Sequence, residues 1–427
     1  MVLEIRLGNF YSINDEISLD FRAAKINTEG AKALSANVID SSGQKVLKSI
    51  GLFGANASGK SNILKAINFC QKTILESHQN NEGAKFDFSP FKFNYTGKPS
   101  SFLIDFIYAG IEYEYSFTLT KEAILQESLF YYPNGRKAKV FVRDETKGRN
   151  KAEIYSFANG LIPRPFDVAI STNRKTLFLS RASLMDRDLC KKLYQFFLLD
   201  FKLGFAPLDF KAIGFSLTNK MFARNKEFFL HALTFCDSDI SDIKLIHEKS
   251  IHSPSSVVVL DPSSSMYDST YDTLRFETFH RAAPEIAFEL FGEESDGTTQ
   301  LFGMLFFILD VIKNESVFML DEFDLSLHVK LADFIIDLFH ASSSAQFLFT
   351  SHNTNLINVR RFRRDQIVFV NKKEDGSTEL YSLLDLKGFR ENMDAEKGYL
   401  QGRFDAIPYI DSSHAALRQL LEKIETI

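Results

Sequence analysis

The residues richest in chemistry are Gly54-Ala55-Asn56-Ala57-Ser58-Gly59-Lys60-Ser61, which match the G-x-x-x-x-G-K-[ST] spacing of a phosphate-binding loop. Small residues and glycines let backbone amides curl around a β-phosphate, and a helix starting there adds partial positive charge. In such a loop Lys60 reaches the β- and γ-phosphates and shares in catalysis, and Ser61 places its hydroxyl on Mg²⁺. Gly54, Asn56, Ala57, Ser58, Gly59 and Asn62 complete the expected contacts. ATP and Mg²⁺ are the implied ligands. The plain alternative is an ordinary glycine-containing strand–helix turn.

Two more stretches end in reactive side chains. Val317-Phe318-Met319-Leu320-Asp321-Glu322 is an apolar strand delivering two carboxylates to its carboxyl end, where ligands bind in open α/β sheets. Asp321 would bind Mg²⁺, and Glu322 would orient or deprotonate the water attacking the γ-phosphate. Gln346-Phe347-Leu348-Phe349-Thr350-Ser351-His352 is a second such strand. It brings His352 toward the same crevice, in reach of the γ-phosphate or the water. A third element, Glu294-Ser295-Asp296-Gly297-Thr298-Thr299-Gln300, precedes a helix. Ser295, Gly297 and Thr298 there make either a second anion-binding platform or a plain N-cap with nothing bound. Spacing alone does not separate the two.

The elements that must position these groups read as follows. Val46–Phe53 is a strand entering the loop, and the helix after it runs to about Ser77. Val2–Arg6 and Glu16–Phe21 form a strand pair. Residues 102–108 and 111–117 flank Ala109-Gly110 as a hairpin, and strands at 124–132, 139–143 and 153–157 extend it into an antiparallel meander. From Ser183 to Leu233 the period is helical. Ile240–His247 and Ser256–Leu260 are short strands around a Ser-rich loop. Helices at 298–312 and 329–339 alternate with strands at 317–320, 346–350, 367–370 and 380–384, and 413–423 is a helical tail.

Composition narrows the class. The 427 residues are 45% hydrophobic and 25% charged, with net charge −5, as in a globular protein whose overall field does not attract nucleic acid. The 43 Phe residues, with no Trp, fill cores. Cys70, Cys190 and Cys236 have no metal spacing and fit structural thiols in a reducing cytoplasm. No signal-like start and no membrane-length apolar run are present, so a cytoplasmic protein is expected. Arg360-Arg361-Phe362-Arg363-Arg364 fits a structural or interface role. The cluster of Arg136, Lys137, Lys139, Arg143, Lys147, Arg149 and Lys151 leaves DNA contact open.

The order of phosphate loop, long insertion, Ser-x-Gly helix start, Asp-Glu strand and His strand resembles the heads of ABC-type ATPases, in the soluble branch that includes RecF and SMC proteins. Asn9-Phe10 fits that branch's N-terminal strand, and Asp324-Leu325-Ser326-Leu327-His328 resembles its interface-crossing loop. The likeness extends over nearly the whole chain to the AbiL/RloA-like ATPases of bacterial abortive infection and phage defence. Arg363-Arg364-Asp365-Gln366-Ile367 and Gly402-Arg403-Phe404-Asp405-Ala406-Ile407-Pro408 add to it. Val329 departs from the proline of many relatives, and Ser295-Asp296-Gly297-Thr298 departs from the transporter LSGGQ. Gln126 is the candidate for the γ-phosphate-sensing glutamine.

The resemblance implies an α/β ABC-type head with an antiparallel β subdomain, an inserted helical region and no coiled coil. Residues 1–180 and 286–427 would be the ATPase lobes, and 181–285 a mostly helical insertion. It also implies homodimers or larger assemblies through the heads, with Ser295-Gly297 of one subunit capping nucleotide in the other. The separate effector would be a Toprim-like nuclease. The alternative is a RecF-like clamp that grips duplex DNA.

Overall fold

The computed structural model describes residues 1–41, 43–93, 97–148, 150–206, 215–250, 271–390, 392–407 and 413–423. The strand expected at 256–260, the helical reading across 207–214, Arg149 and Pro408 lie outside them.

In chain order the strands of the first half are β1 (Val2–Gly8), β2 (Ile17–Asp20), β3 (Val38–Ser41), β4 (Gln44–Leu47), β5 (Ser49–Phe53), β6 (Ser100–Tyr108), β7 (Ile111–Leu119), β8 (Ile124–Tyr131), β9 (Ala138–Asp144) and β10 (Tyr155–Phe157). The second half contributes β11 (Phe201–Phe205), β12 (Ile240–Ser250), β13 (Tyr271–His280), β14 (Ala283–Glu289), β15 (Val317–Asp321), β16 (Gln346–Ser351), β17 (Ile367–Lys372) and β18 (Thr378–Ser382). An antiparallel sheet runs β10-β9-β8-β7-β6-β1-β2, and a core sheet runs β11-β15-β16-β5-β17-β18. The core sheet is parallel except for β18. Two small sheets, β12-β13-β14 and β3-β4, complete the set.

Alternation along the core strands builds two cores, because successive side chains of a strand face opposite ways. Ile50, Leu52, Val317, Met319 and Leu348 join the loop helix (Lys60–Glu76) and the antiparallel sheet in one cluster. Phe53, Phe318, Leu320, Phe347 and Phe349 join the helices Asp296–Lys313 and Val329–Ala341 in the other. The core strands are thus buried on both faces, which is why they read as unbroken apolar runs.

Two differences from the sequence reading have physical causes. The run Val46–Phe53 is two strands in two sheets, broken at Lys48. The buried Lys48 ammonium donates to the carbonyls of His340 (2.9 Å) and Ser342 (2.6 Å), a cation on the last carbonyls of a helix. Residues 181–285 are not mostly helical along their described length. Phe201–Phe205 pairs in parallel with β15 as an edge of the core sheet, and 240–250, 271–280 and 283–289 form the three-stranded sheet. The first of these was masked by the helical stripe before it, and its partner lies more than a hundred residues away. The longest described helix, Phe215–Leu233, has 19 residues, and no coiled coil appears among the described residues. No helix among them is long and apolar enough to cross a membrane.

Candidate nucleotide site

Strand β5 ends at Phe53, the loop follows, and the helix begins at Lys60 with Gly59 as its cap at φ 114°. Only glycine takes that backbone at no steric cost. A Cβ on Gly59 would also stand 2.0 Å from the Thr378 hydroxyl, and one on Gly54 would stand 2.2 Å from the Val370 carbonyl. The loop is braced from outside. Thr378 donates to the Ser58 carbonyl (2.9 Å) and shares a hydrogen bond with Ser12 (2.8 Å), and Asn62 donates to Ser12 (2.9 Å). The Ala55 amide donates to the Ala406 carbonyl (2.9 Å).

Lys60 is buried and donates to the carbonyls of Gly54 (2.7 Å) and Ala55 (3.0 Å). Burial depresses its ammonium to about 8, against the opposing pull of Asp321 and Glu322. The Ser58 hydroxyl is buried with no hydrogen-bond partner among the described residues.

Parallel pairing places the ends of β15 and β16 beside the loop. The Thr350 hydroxyl donates to Asp321 Oδ1 (2.5 Å) and accepts from the Glu322 amide (2.7 Å). Glu322 has φ 48°, so the chain turns sharply at that carboxylate. Ser351 donates to Asp324 Oδ2 (2.8 Å), and burial raises the Asp324 carboxyl despite that bond. His352 Nε2 lies 3.8 Å from Glu322 Oε1. Burial and then the Lys60 charge lower the His352 imidazole, so the neutral ring is favoured near neutral pH.

These groups enclose one cleft of about 660 Å³, lined by Asn56, Ala57, Ser58, Gly59, Lys60, Ser61, Asn62, Glu322 and His352. Buried Asp321 sits behind Glu322 at the end of the same strand. Ser295, Gly297 and Thr298 do not line it. Ser295 caps its helix, accepting from the Thr298 amide (3.2 Å), and is exposed. Gly297 packs against the Ser326 carbonyl, which a Cβ would meet at 3.2 Å. Gln126 faces solvent on β8 beside Asp144 and is not at the cleft. The strand that does end beside Asp321 is β11, whose continuing Ala206 amide donates to the Asp321 carbonyl (3.2 Å).

Part of each basic cluster is engaged in ion pairs. Arg361 binds Asp333 and Asp337, and buried Arg363 binds Asp365. Lys137 pairs with Glu114, and the fully buried Arg143 pairs with Glu127 and Glu145. Sequence reasoning missed the supporting hydroxyls of Ser12, Thr350 and Thr378. Of these only Thr350 carried a signal, as the first polar residue after an apolar strand.

The residues fit a polyphosphate. Residues Asn56 to Asn62, with the buried Lys60 ammonium among them, line the cleft together with Glu322 and His352, and the Ser58 hydroxyl is buried without a partner among the described residues. The architecture is α/β, a mainly parallel core sheet beside an antiparallel sheet, with the phosphate-loop motif between β5 and the following helix. No curated protein matches the chain. Among solved structures it is similar to an SmcHead bound to the C-winged helix domain of ScpA (15% identity, 89% of this chain and 97% of that one, TM-score 0.40). It is also similar to the SMC head domain from Thermotoga maritima (13%, 89% and 98%, TM-score 0.38) and to an Smc head domain with a coiled coil and joint from Pyrococcus yayanosii (13%, 94% and 99%, TM-score 0.41). The family described as "AAA domain, putative AbiEii toxin, Type IV TA system" matches residues 49–358, most of the length, and the chain belongs to that family.

Proposed function

We propose that the chain binds and hydrolyses Mg·ATP in this cleft, that a second copy completes the site, and that closure of the two heads regulates a separate effector in anti-phage defence. The observation that carries the reading is the separation of the phosphate loop from the Ser295 helix start. The phosphate loop, Asp321, Glu322 and His352 converge on one cleft, while Ser295 is exposed away from it. A signature that cannot serve its own loop is free to serve a neighbour's. The family's description, which names a Type IV TA system, supports an effector paired with this ATPase. The lobes would be 1–180, joined by the core-sheet edge strand Phe201–Phe205, and 286–427, around an insertion.

Each residue then has a task. Lys60 exchanges its loop carbonyls for phosphate oxygens, and the Ser58 hydroxyl gains the partner it lacks. Thr350 holds Asp321 in place. Mg²⁺, held by Ser61 and Asp321, would neutralise phosphate charge. Glu322 takes the proton of the attacking water, and neutral His352 beside it supplies a hydrogen bond. The clamp reading on DNA finds less support, because the net charge is −5 and Arg361, Arg363, Lys137 and Arg143 are engaged in ion pairs.

Light scattering of wild type and Glu322→Gln, with and without Mg·ATP, tests the proposal. Glu322→Gln should bind ATP, hydrolyse it at least about 100-fold more slowly and gain subunits, and Ser295→Arg should abolish that gain. ATP hydrolysis by a wild type whose mass never changes, with Ser295→Arg equally active, would overturn the composite site.

A further inference from the structure

A second group of ligating side chains lies outside the nucleotide cleft, next to the Ser295 helix start. Asp237 follows the helix Phe215–Leu233, its amide bound to the Leu233 carbonyl at 3.0 Å. His280 ends β13, and Glu294 immediately precedes the Ser295 cap. Ligand atoms of Asp237, His280 and Glu294 all lie within 4.8 Å of one another.

The two ring nitrogens differ. Nε2 is 2.9 Å from Glu294 Oε1, an oxygen that also accepts from the Thr278 hydroxyl. Nδ1 faces Asp237 Oδ2 at 3.9 Å and Asp239 Oδ2 at 3.6 Å, beyond hydrogen-bond reach. The 2.9 Å contact at Nε2 is a hydrogen bond that fixes the ring, and the wider separations at Nδ1 suit atoms that share an ion rather than a proton, since bonds of about 2.0–2.2 Å to one ion put its ligands about 3.3–3.6 Å apart.

Charge points the same way. Three carboxylates surround one imidazole, and among the described residues no lysine or arginine forms an ion pair with Asp237, Asp239 or Glu294. The side chains of Glu294 and His280 are only 7% and 16% exposed. A carboxylate held that far from water without a cation is costly, and a divalent ion would remove the imbalance.

We propose that His280 through Nδ1 and Asp237, with Asp239 beside them, bind one divalent transition-metal ion of the class that favours imidazole with carboxylate, Zn²⁺ or Mn²⁺, while Glu294 holds the ring from Nε2. The ion and the ring together would fasten three separate segments: the turn after a helix, the end of β13 and the residue before Ser295. The start of the Asp296–Lys313 helix would thereby be tied to the β12-β13-β14 sheet. The site stands independently of the nucleotide reading.

The test uses the full chain stripped by a chelator, with Zn²⁺ as probe, equilibrium dialysis with elemental analysis, and thermal unfolding. Asp321→Asn serves as background, to remove metal binding at the nucleotide cleft. One equivalent should bind and raise Tm. His280→Ala should weaken binding by more than about 100-fold, because outer partners alone are worth 10–100-fold. Asp237→Asn, isosteric and half-exposed, should do the same and keeps the test open if His280→Ala does not fold. Co²⁺ in place of Zn²⁺ should give visible bands without a thiolate charge-transfer band, which separates this site from one built on the nearby Cys236. Equal Zn²⁺ binding by wild type and Asp237→Asn, a thiolate band, or no stoichiometric binding would each overturn the proposal.

Discussion

Replacing Thr350 with valine isolates one buried hydroxyl that holds Asp321 and the Glu322 amide beside the cleft. The side chain is fully buried, and valine has nearly its shape, so no cavity opens. What disappears is the bond to Asp321 Oδ1 (2.5 Å) and the acceptor for the Glu322 amide (2.7 Å). The first is a hydrogen bond to a charged group, worth about 1.5–3 kcal/mol, and the second leaves a donor unsatisfied at about 1–3 kcal/mol. Water entering from the open cleft recovers part of this, so the expected loss is about 2–4 kcal/mol. Thr350→Ser keeps the hydroxyl and loses a methyl, for about 1 kcal/mol. Urea unfolding midpoints at constant slope measure both variants. If the hydroxyl also fixes acid and base, ATP turnover by Thr350→Val falls about 10–100-fold, a factor of ten for each 1.4 kcal/mol, while Thr350→Ser stays near wild type. A valine variant as stable and active as wild type, or a serine variant as damaged as the valine one, would refute this account.

Two further outcomes are expected. Lys60 is depressed to about 8 in the free protein, whereas phosphates favour its charged form. Binding ATP therefore takes up a proton, and Kd should rise about tenfold from pH 7 to 9; calorimetry in buffers of different ionisation enthalpy reads the uptake, and a flat profile would contradict it. Arg143→Met should cost about 3–5 kcal/mol by leaving buried Glu127 without its cation, while Glu145 keeps Arg174, seen as a lowered urea midpoint; unchanged stability with lost salt-dependent DNA binding would instead revive the clamp reading.

What the sequence made legible was local. The loop could be read because its glycines and Lys-Ser obey fixed spacing, the hairpin because Ala109-Gly110 sits between alternating strands, and Asp321-Glu322 because acids end an apolar run. Lys48 as the break between β4 and β5 was hidden, since its helix-capping role depends on a helix that ends near His340. The strand Phe201–Phe205 was hidden because parallel pairing with β15 leaves no mark in its neighbourhood. Ser12 and Thr378 brace Gly59 from opposite ends of the chain, and no window of sequence contains both. The Asp237–His280–Glu294 group was illegible for the same reason.

The core sheet also has a consequence for synthesis. Strand β5 pairs only with β16 and β17, both made about 300 residues later, an interval of about 15–60 s at usual rates of elongation. The antiparallel sheet, whose strands all lie before Ala158, can assemble while the ribosome is still working. The phosphate loop meanwhile leaves the ribosome attached to a strand with no neighbours, and its acids do not yet exist. A nascent or truncated chain therefore has no complete candidate site: Glu322, His352 and the loop's brace Thr378 are all in place only after translation has passed Thr378.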